Sequence, residues 1–173
     1  MPNIALSHML GTILLAMLLA AVTLFTLQTT LEANLKASKV YLQEVSEKVS
    51  SDIIDVLNAF YLEHKSPYLY KVIEIPVHVN NKGYVIRLEN DSLGWKVTAY
   101  VDGYGIFKVE SRLYLMAGIQ VVNSSGVFDV SEGKILYADR IYSGTSKPVV
   151  WCRFDSSTRT IQVGIGKLEV GHP

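Results

Sequence analysis

Cys152 and the four histidines, His8, His64, His78 and His172, are the side chains in this 173-residue chain with the strongest nucleophilic, general-base or metal-binding chemistry. Their spacing gives them no partners. No two histidines are separated as metal ligands are, and no candidate base lies near Cys152 in sequence. As the only cysteine, Cys152 forms no internal disulfide. Its neighbours Val149, Val150, Trp151 and Phe154 read as a strand, which makes it a buried, inert thiol; the alternative is an intermolecular bridge or a reactive thiol. The carboxylate pairs Glu44 with Glu47 and Asp52 with Asp55 read as the solvated face of a helix. A glycine-rich phosphate loop and a Gly-x-Ser-x-Gly elbow are both missing from the sequence. The expectation is a chain with no catalytic, cofactor-binding or metal-ligating residues, and not an enzyme. The remaining chemistry is modification: the sequons Asn90-Asp91-Ser92 and Asn123-Ser124-Ser125 are read at turns between strands, with Asn90 and Asn123 as candidate N-glycosylation sites.

Sixteen basic and sixteen acidic residues balance, and no two Lys or Arg residues are adjacent, so no nucleic-acid partner is expected. Charge is instead distributed by region. The first charged side chain is Glu32. Before it, Ile4 to Leu27 is aliphatic apart from Ser7, His8, Gly11, Thr12, Thr23 and Thr26, a length that spans a bilayer with some tilt. His8 falls near one end of that span, where an ionisable residue sits at the interface or against a neighbouring helix. A secretory signal peptide cut near Ala20 and Ala21 is the competing reading, although no Lys or Arg precedes the segment.

Helical periodicity continues past the span without a Pro or Gly break. Leu31, Leu35, Leu42, Val45, Val49, Ile53, Val56, Leu57 and Phe60 fall on one face. Opposite them lie Glu32, Lys36, Lys39, Gln43, Glu47, Lys48, Ser50 and Asp55. Of these, Leu42, Val45, Val49, Ile53, Val56 and Phe60 are expected to dock onto the chain's own downstream domain. A coiled coil is less well served, because Ser38 and Asp52 occupy positions where apolar residues belong. Within this helix Lys48 is spaced to pair with Asp52. Pro67 disfavours helical geometry at Ser66, so the helix is expected to stop near Glu63 to Lys65.

From Tyr70 onward the pattern changes to β-branched and alternating runs: 71–79, 84–88, 95–101, 105–109, 112–121, 127–130, 134–142, 149–154 and 160–170. Turn signals such as Asp102-Gly103 and Ser131-Glu132-Gly133 separate them. Pro76 marks an edge strand or bulge in the first. The predicted architecture is α+β: a long N-terminal helix over 1–66, with a hydrophobic part at 1–28 and an amphipathic part at 29–66, followed over 67–173 by an antiparallel β-sandwich, immunoglobulin-like or similar.

The stretch Ala5-Leu6-Ser7-His8-Met9-Leu10-Gly11-Thr12-Ile13-Leu14-Leu15, leading into a helix that turns amphipathic and then into a β-rich domain, resembles the archaeal type IV pilins and pilin-like proteins of the archaellin-related superfamily. A fainter likeness covers Ile75-Pro76 to Tyr84-Val85-Ile86. The resemblance implies a short basic leader, removed here between Ala5 and Leu6, where the residues match the small-residue site. It also implies a polymerisation helix built from Leu6, Leu10, Gly11, Leu14, Ala16, Met17, Ala20, Ala21 and Leu24. The partners implied are identical subunits in a helical filament, the membrane before assembly, and a pilus assembly machinery. The location implied is a cell-surface filament with a membrane-inserted precursor. The alternative is a single-pass envelope protein whose β domain binds another surface component, an archaellum accessory subunit or a surface-layer partner.

Overall fold

The computed structural model describes residues 3–63, 66–102 and 107–171, with side chains from Leu6 onward. A single helix, α1, runs Asn3–Glu63, and ten strands follow: β1 Tyr68–Val72, β2 Tyr84–Asp91, β3 Gly94–Val101, β4 Lys108–Arg112, β5 Ile119–Val121, β6 Gly126–Val130, β7 Gly133–Ala138, β8 Arg140–Tyr142, β9 Pro148–Asp155 and β10 Thr160–Val170. The chain divides into two compact units, Met1–Ser38 and Lys39–Pro173. Leu, Ala, Met, Glu and Lys give α1 high intrinsic helicity, and Gly11 is its one glycine. Glu63 ends it, four residues before Pro67; His64 and Lys65 lie outside the described residues.

In the second unit the strands form two sheets. The larger has the order β1-β9-β10-β7-β6, and the smaller β4-β3-β2-β8. Pairing is antiparallel except at β5, which lies parallel to β10 over Ile161 to Val163 while β7 takes the same edge of β10 from Ile165 onward. Between the sheets, Val150, Cys152, Val163 and Ile165 meet Ile86, Leu88, Val97, Ala99 and Val109. The α+β expectation therefore holds at the level of architecture.

The amphipathic half of α1 completes this core. Leu42, Val45, Val49, Ile53, Val56 and Leu57 are buried, and Phe60 packs against them half-buried. Gln43 donates to the Glu110 carbonyl at 3.5 Å and the Ser50 hydroxyl to the Arg112 carbonyl at 3.2 Å, so the helix runs along the outer edge of β4. On its other flank, Lys71 of β1 reaches Asp52. The helix thus closes the side of the sandwich where β1 and β4 end their respective sheets. The second compact unit begins at Lys39, so it takes in this stretch of α1 together with both sheets.

The larger sheet also curls until its own edges meet. Tyr68 of β1 lies 6.4 Å from Phe128 of β6, and its hydroxyl accepts the Ser131 N–H at 2.6 Å. Inside the curl sits a second small core of Ile135, Val149, Trp151 and Leu168, on which Tyr70, Phe128 and Tyr137 pack. Gly164 permits this: a Cβ there would come within 2.6 Å of the Trp151 ring, which donates its indole N–H to the Ile165 carbonyl at 3.3 Å.

Three expected strands are redrawn. The run 134–142 is two strands in different sheets, with Asp139 at the changeover. The run 71–79 ends at Val72; Pro76 lies in irregular chain, having no N–H for a ladder, and its carbonyl accepts the Tyr84 hydroxyl. The run 112–121 is broken at 113–118, where Gly118 takes φ +91°. Gly105, where another strand was expected to begin, lies outside the described residues, and β4 starts at Lys108.

A fragment of residues 39–173 is expected to melt cooperatively by circular dichroism, whereas one of residues 67–173 should show no cooperative transition. In a urea titration of the longer fragment, Ile53→Ala should cost about 2–5 kcal/mol, the usual range for such truncation in a closed core.

Candidate assembly surface

Within the first unit every large apolar side chain from Leu6 to Leu35 is exposed, from 43% at Leu35 to 70% at Phe25. Leu6, Leu10, Leu14, Met17 and Leu24 belong to this set. Gly11, Ala16, Ala20 and Ala21 are exposed between them, with open space around Gly11. The side chain of Ala5 lies outside the described residues. At ~1.5–3 kcal/mol per large apolar side chain, leaving this surface in water costs tens of kcal/mol.

The threonines of the span do not relieve that cost, because their hydroxyls turn back to their own backbone. Thr12 donates to the His8 carbonyl at 2.9 Å, Thr23 to Leu19 at 2.8 Å, Thr26 to Val22 at 2.8 Å, Thr29 to Phe25 at 3.0 Å and Thr30 to Thr26 at 2.8 Å. Hydroxyls bonded back to the preceding turn require nothing from the surroundings. Gln28, at the end of the span, donates to Glu32 at 3.3 Å. By length and composition this helix suffices to cross a membrane.

Beyond Lys39, polar residues interrupt the buried stripe in a way the sequence pattern assigned otherwise. Ser46, Ser50 and Asp52 are all buried. Ser50, expected on the solvated face, points inward to β4. Asp52, expected to pair with Lys48 along the helix, instead binds Lys71 of β1 at 2.5 Å, and the same ammonium lies 3.4 Å from Asp55. The Asp52 hydrogen bond raises the Lys71 pKa, and the second oxygen of Asp52 has no partner. Nothing local in sequence marks this pair, which depends on a residue nineteen positions away.

The outer face of the smaller sheet carries a charge network that sequence reading missed. Lys96, almost fully buried, lies 3.1 Å from Asp91 and 2.8 Å from Glu110. Asp91 also binds Arg112 at 2.6 Å, Glu89 binds Lys108 at 2.7 Å, and Asp139 binds Arg87 at 3.3 Å and Arg140 at 3.1 Å. Register makes the network, since Glu89 lies opposite Lys96, and Lys96 opposite Arg112. Its visible signal is period-two charge: Arg87, Glu89, Asp91 on β2 and Lys108, Glu110, Arg112 on β4. Arg112 holds the Asp91 carboxyl well below the usual range, and the Lys96 hydrogen bond lowers that of Glu110. Burial pushes Glu89 up, but Lys108, Thr98 and Arg87 outweigh it, so its pKa is lowered. Arg140 lowers Asp139.

The remaining candidates are dispersed. Asn90 is exposed but is the penultimate residue of β2 instead of part of a turn, because β2 extends three residues past the expected Leu88. Asn123 is exposed in the β5–β6 connection. Cys152 is fully buried, and burial alone pushes its thiol up to about 12. His8 and His78 are exposed and far apart in sequence, while His64 and His172 lie outside the described residues. Among the described residues no group of three His, Cys, Asp or Glu side chains could hold a metal ion. Comparison with known proteins finds no family model, no curated protein and no solved structure that matches the chain.

The depressed carboxylates fix a pH dependence. A carboxylate whose pKa falls on folding stabilises the fold above its unfolded value, about 4, and that contribution is lost as pH drops through the folded value. Thermal melts should therefore hold steady from pH 7 to about 5 and decline below about 4. Arg112→Gln, which removes the main stabiliser of the Asp91 carboxylate, should flatten that decline.

Proposed function

We propose that this chain is a structural subunit of an extracellular, type IV pilus-like filament, polymerising through the apolar part of α1 with its β domain facing outward. The observation that carries the reading is the stretch Leu6 to Leu27, uncharged, exposed along its length, with its threonine hydroxyls bonded to their own backbone. Such a surface needs lipid or other apolar helices around it. In a membrane, lipid serves; in a filament, copies of the same helix replace lipid, and Gly11, Ala16, Ala20 and Ala21 admit close approach. A membrane anchor alone has no need for the same helix to run on as the core-closing element of a folded unit.

Burial of the helix among copies is far more favourable than exposure to water but only modestly different from lipid. Subunit extraction therefore calls for assembly machinery, and the finished polymer resists dissolution. Contacts that relate one copy to the next without closing generate an open helical array. Processing between Ala5 and Leu6, and glycans at Asn90 and Asn123, belong to this same reading, as does kinship with the type IV pilin-like proteins.

Negative-stain electron microscopy of material sheared from native cells, with mass spectrometry of this chain and its N-terminal residue, tests the proposal. Uniform filaments rich in the chain are the expected result. Recovery only as discrete particles in the membrane fraction would favour an anchored envelope protein that binds another surface component. Ala16→Glu or Ala20→Glu should eliminate the filaments while leaving the melting temperature of the second unit unchanged; normal filaments from either variant would remove the helix as the polymerising element.

A further inference from the structure

Exposed apolar side chains on α1 do not stop where its charges begin. Glu32, Lys36 and Lys39 are exposed, and so, interleaved with them, are Leu31, Leu35, Val40 and Tyr41. Past Tyr41, no further large apolar side chain of α1 is exposed before Leu62. A helical stretch that presents lysine together with leucine, valine and tyrosine matches a bilayer interface, where tyrosine rings sit at headgroup level and lysine stems lie along apolar surface.

Val40 and Tyr41 already belong to the second unit, and the folding of that unit brings other apolar side chains to the same end. Tyr41 lines a shallow groove together with Ile75 and Pro76. The Pro76 carbonyl accepts the hydroxyl of Tyr84, the first residue of β2. Tyr84 in turn donates its N–H to the Ser143 hydroxyl at 3.0 Å, and its carbonyl accepts the Ser143 N–H at 2.8 Å. Val77 lies against Gly144, where a Cβ would stand 3.6 Å from it. Val77 is 55% exposed and Tyr142, next to Ser143, is 51% exposed. Val40, Tyr41, Val77 and Tyr142 thus share the end at which the chain enters the second unit.

We infer that this end of the second unit rests on the bilayer surface while α1 is in the membrane, with Tyr41, Val77 and Tyr142 among the lipid headgroups; the inference rests on the membrane-inserted precursor proposed above. At ~1.5 Å per residue, Tyr41 lies about 9 Å along α1 from Leu35, comparable with the roughly 5–8 Å of one headgroup layer. The tether also makes a small contact effective, because a linked second contact is intramolecular. Exposed Lys39 and Lys48 are matched at this end by exposed Glu44 and Glu74, so the apolar side chains and not attraction to anionic lipid carry the contact. The opposite end of the unit is the internal reference. Leu93 follows the last residue of β2, and Tyr114 lies beside that turn, because the Leu113 N–H donates to the Trp95 carbonyl at 2.9 Å. At ~3.3 Å per residue, the length of β2 sets these residues roughly 25 Å from Tyr84. They are more exposed than Val77, Tyr114 at 85%, but the tether gives them no lipid to meet.

The test uses the full chain in phosphatidylcholine vesicles, with Val77→Cys, Tyr142→Cys or Tyr114→Cys each carrying a nitrobenzoxadiazole dye; the native Cys152 is buried and unreactive. Phosphatidylcholine bearing a nitroxide on its headgroup should remove most of the emission from dyes at Val77 and Tyr142 and little of that from Tyr114. Equal quenching at all three positions would overturn the inference, as would quenching at none of them. An alkaline carbonate wash separates the two readings. A chain that stays in the vesicles without quenching at Val77 or Tyr142 removes the surface contact and keeps the membrane-inserted precursor; a chain that the wash extracts removes both.

Discussion

Two β-sheets packed face to face leave two open sides, and in the second unit one of these is filled by the segment of α1 from Leu42 to Phe60. Everything else in that unit is arranged around this insertion. The helix supplies one wall of the main core, caps carbonyls along β4 at Glu110 and Arg112, and is fastened to β1 through Asp52 and Lys71. An exposed strand edge invites pairing with other chains, and covering that of β4 with a helix removes the hazard. The Asp52 pair is less a source of stability than of position. Asp52 is buried while Lys71 is half exposed, so the pair gains little net free energy, but Asp52 without its cation would be a buried, unpaired charge, and the helix is held in one register against β1.

The larger sheet solves its second face differently. Instead of acquiring a cover it curls, bringing Tyr68 to Phe128 and wrapping Trp151 with aromatic rings 5.1 Å away. Arg153 lies over three of these rings at 5.1–5.6 Å from their centroids, placing its charge against π faces. The curl depends on glycine where side chains approach the backbone most closely, at Gly164 under Trp151 and at Gly126 under Tyr137.

Periodicity made the helix readable, since Leu42, Val45, Val49, Ile53 and Val56 recur at intervals only a helix places on one face. The end near Glu63 followed from Pro67. Strands β2, β3, β9 and β10 were visible as alternating or continuous apolar runs bounded by turn residues. What escaped was whatever depends on partners distant in sequence. Asp52 looks like a surface carboxylate until Lys71 is brought beside it. Residues 134–142 read as one strand because nothing in their pattern says that Asp139 passes the chain from one sheet to the other. The alternating charges of β2 and β4 were legible singly, but their network exists only once register sets Lys96 between them. In the apolar span composition alone disclosed the exposed surface, whereas the inward turn of its threonines depends on hydroxyl rotamers that the sequence does not specify.

The direction in which α1 lies has a mechanical meaning. Moving from Gln43 to Ser50, its contacts advance from Glu110 to Arg112, so helix and strand run alongside each other. Traction along the helix axis therefore loads the whole packed stripe in shear, with Leu42, Val49 and Ile53 resisting together. Peeling, which would break such contacts one at a time, requires a force across the axis. A domain held in this way is strong in one direction and yields in another, which gives the unit a built-in axis of tensile strength.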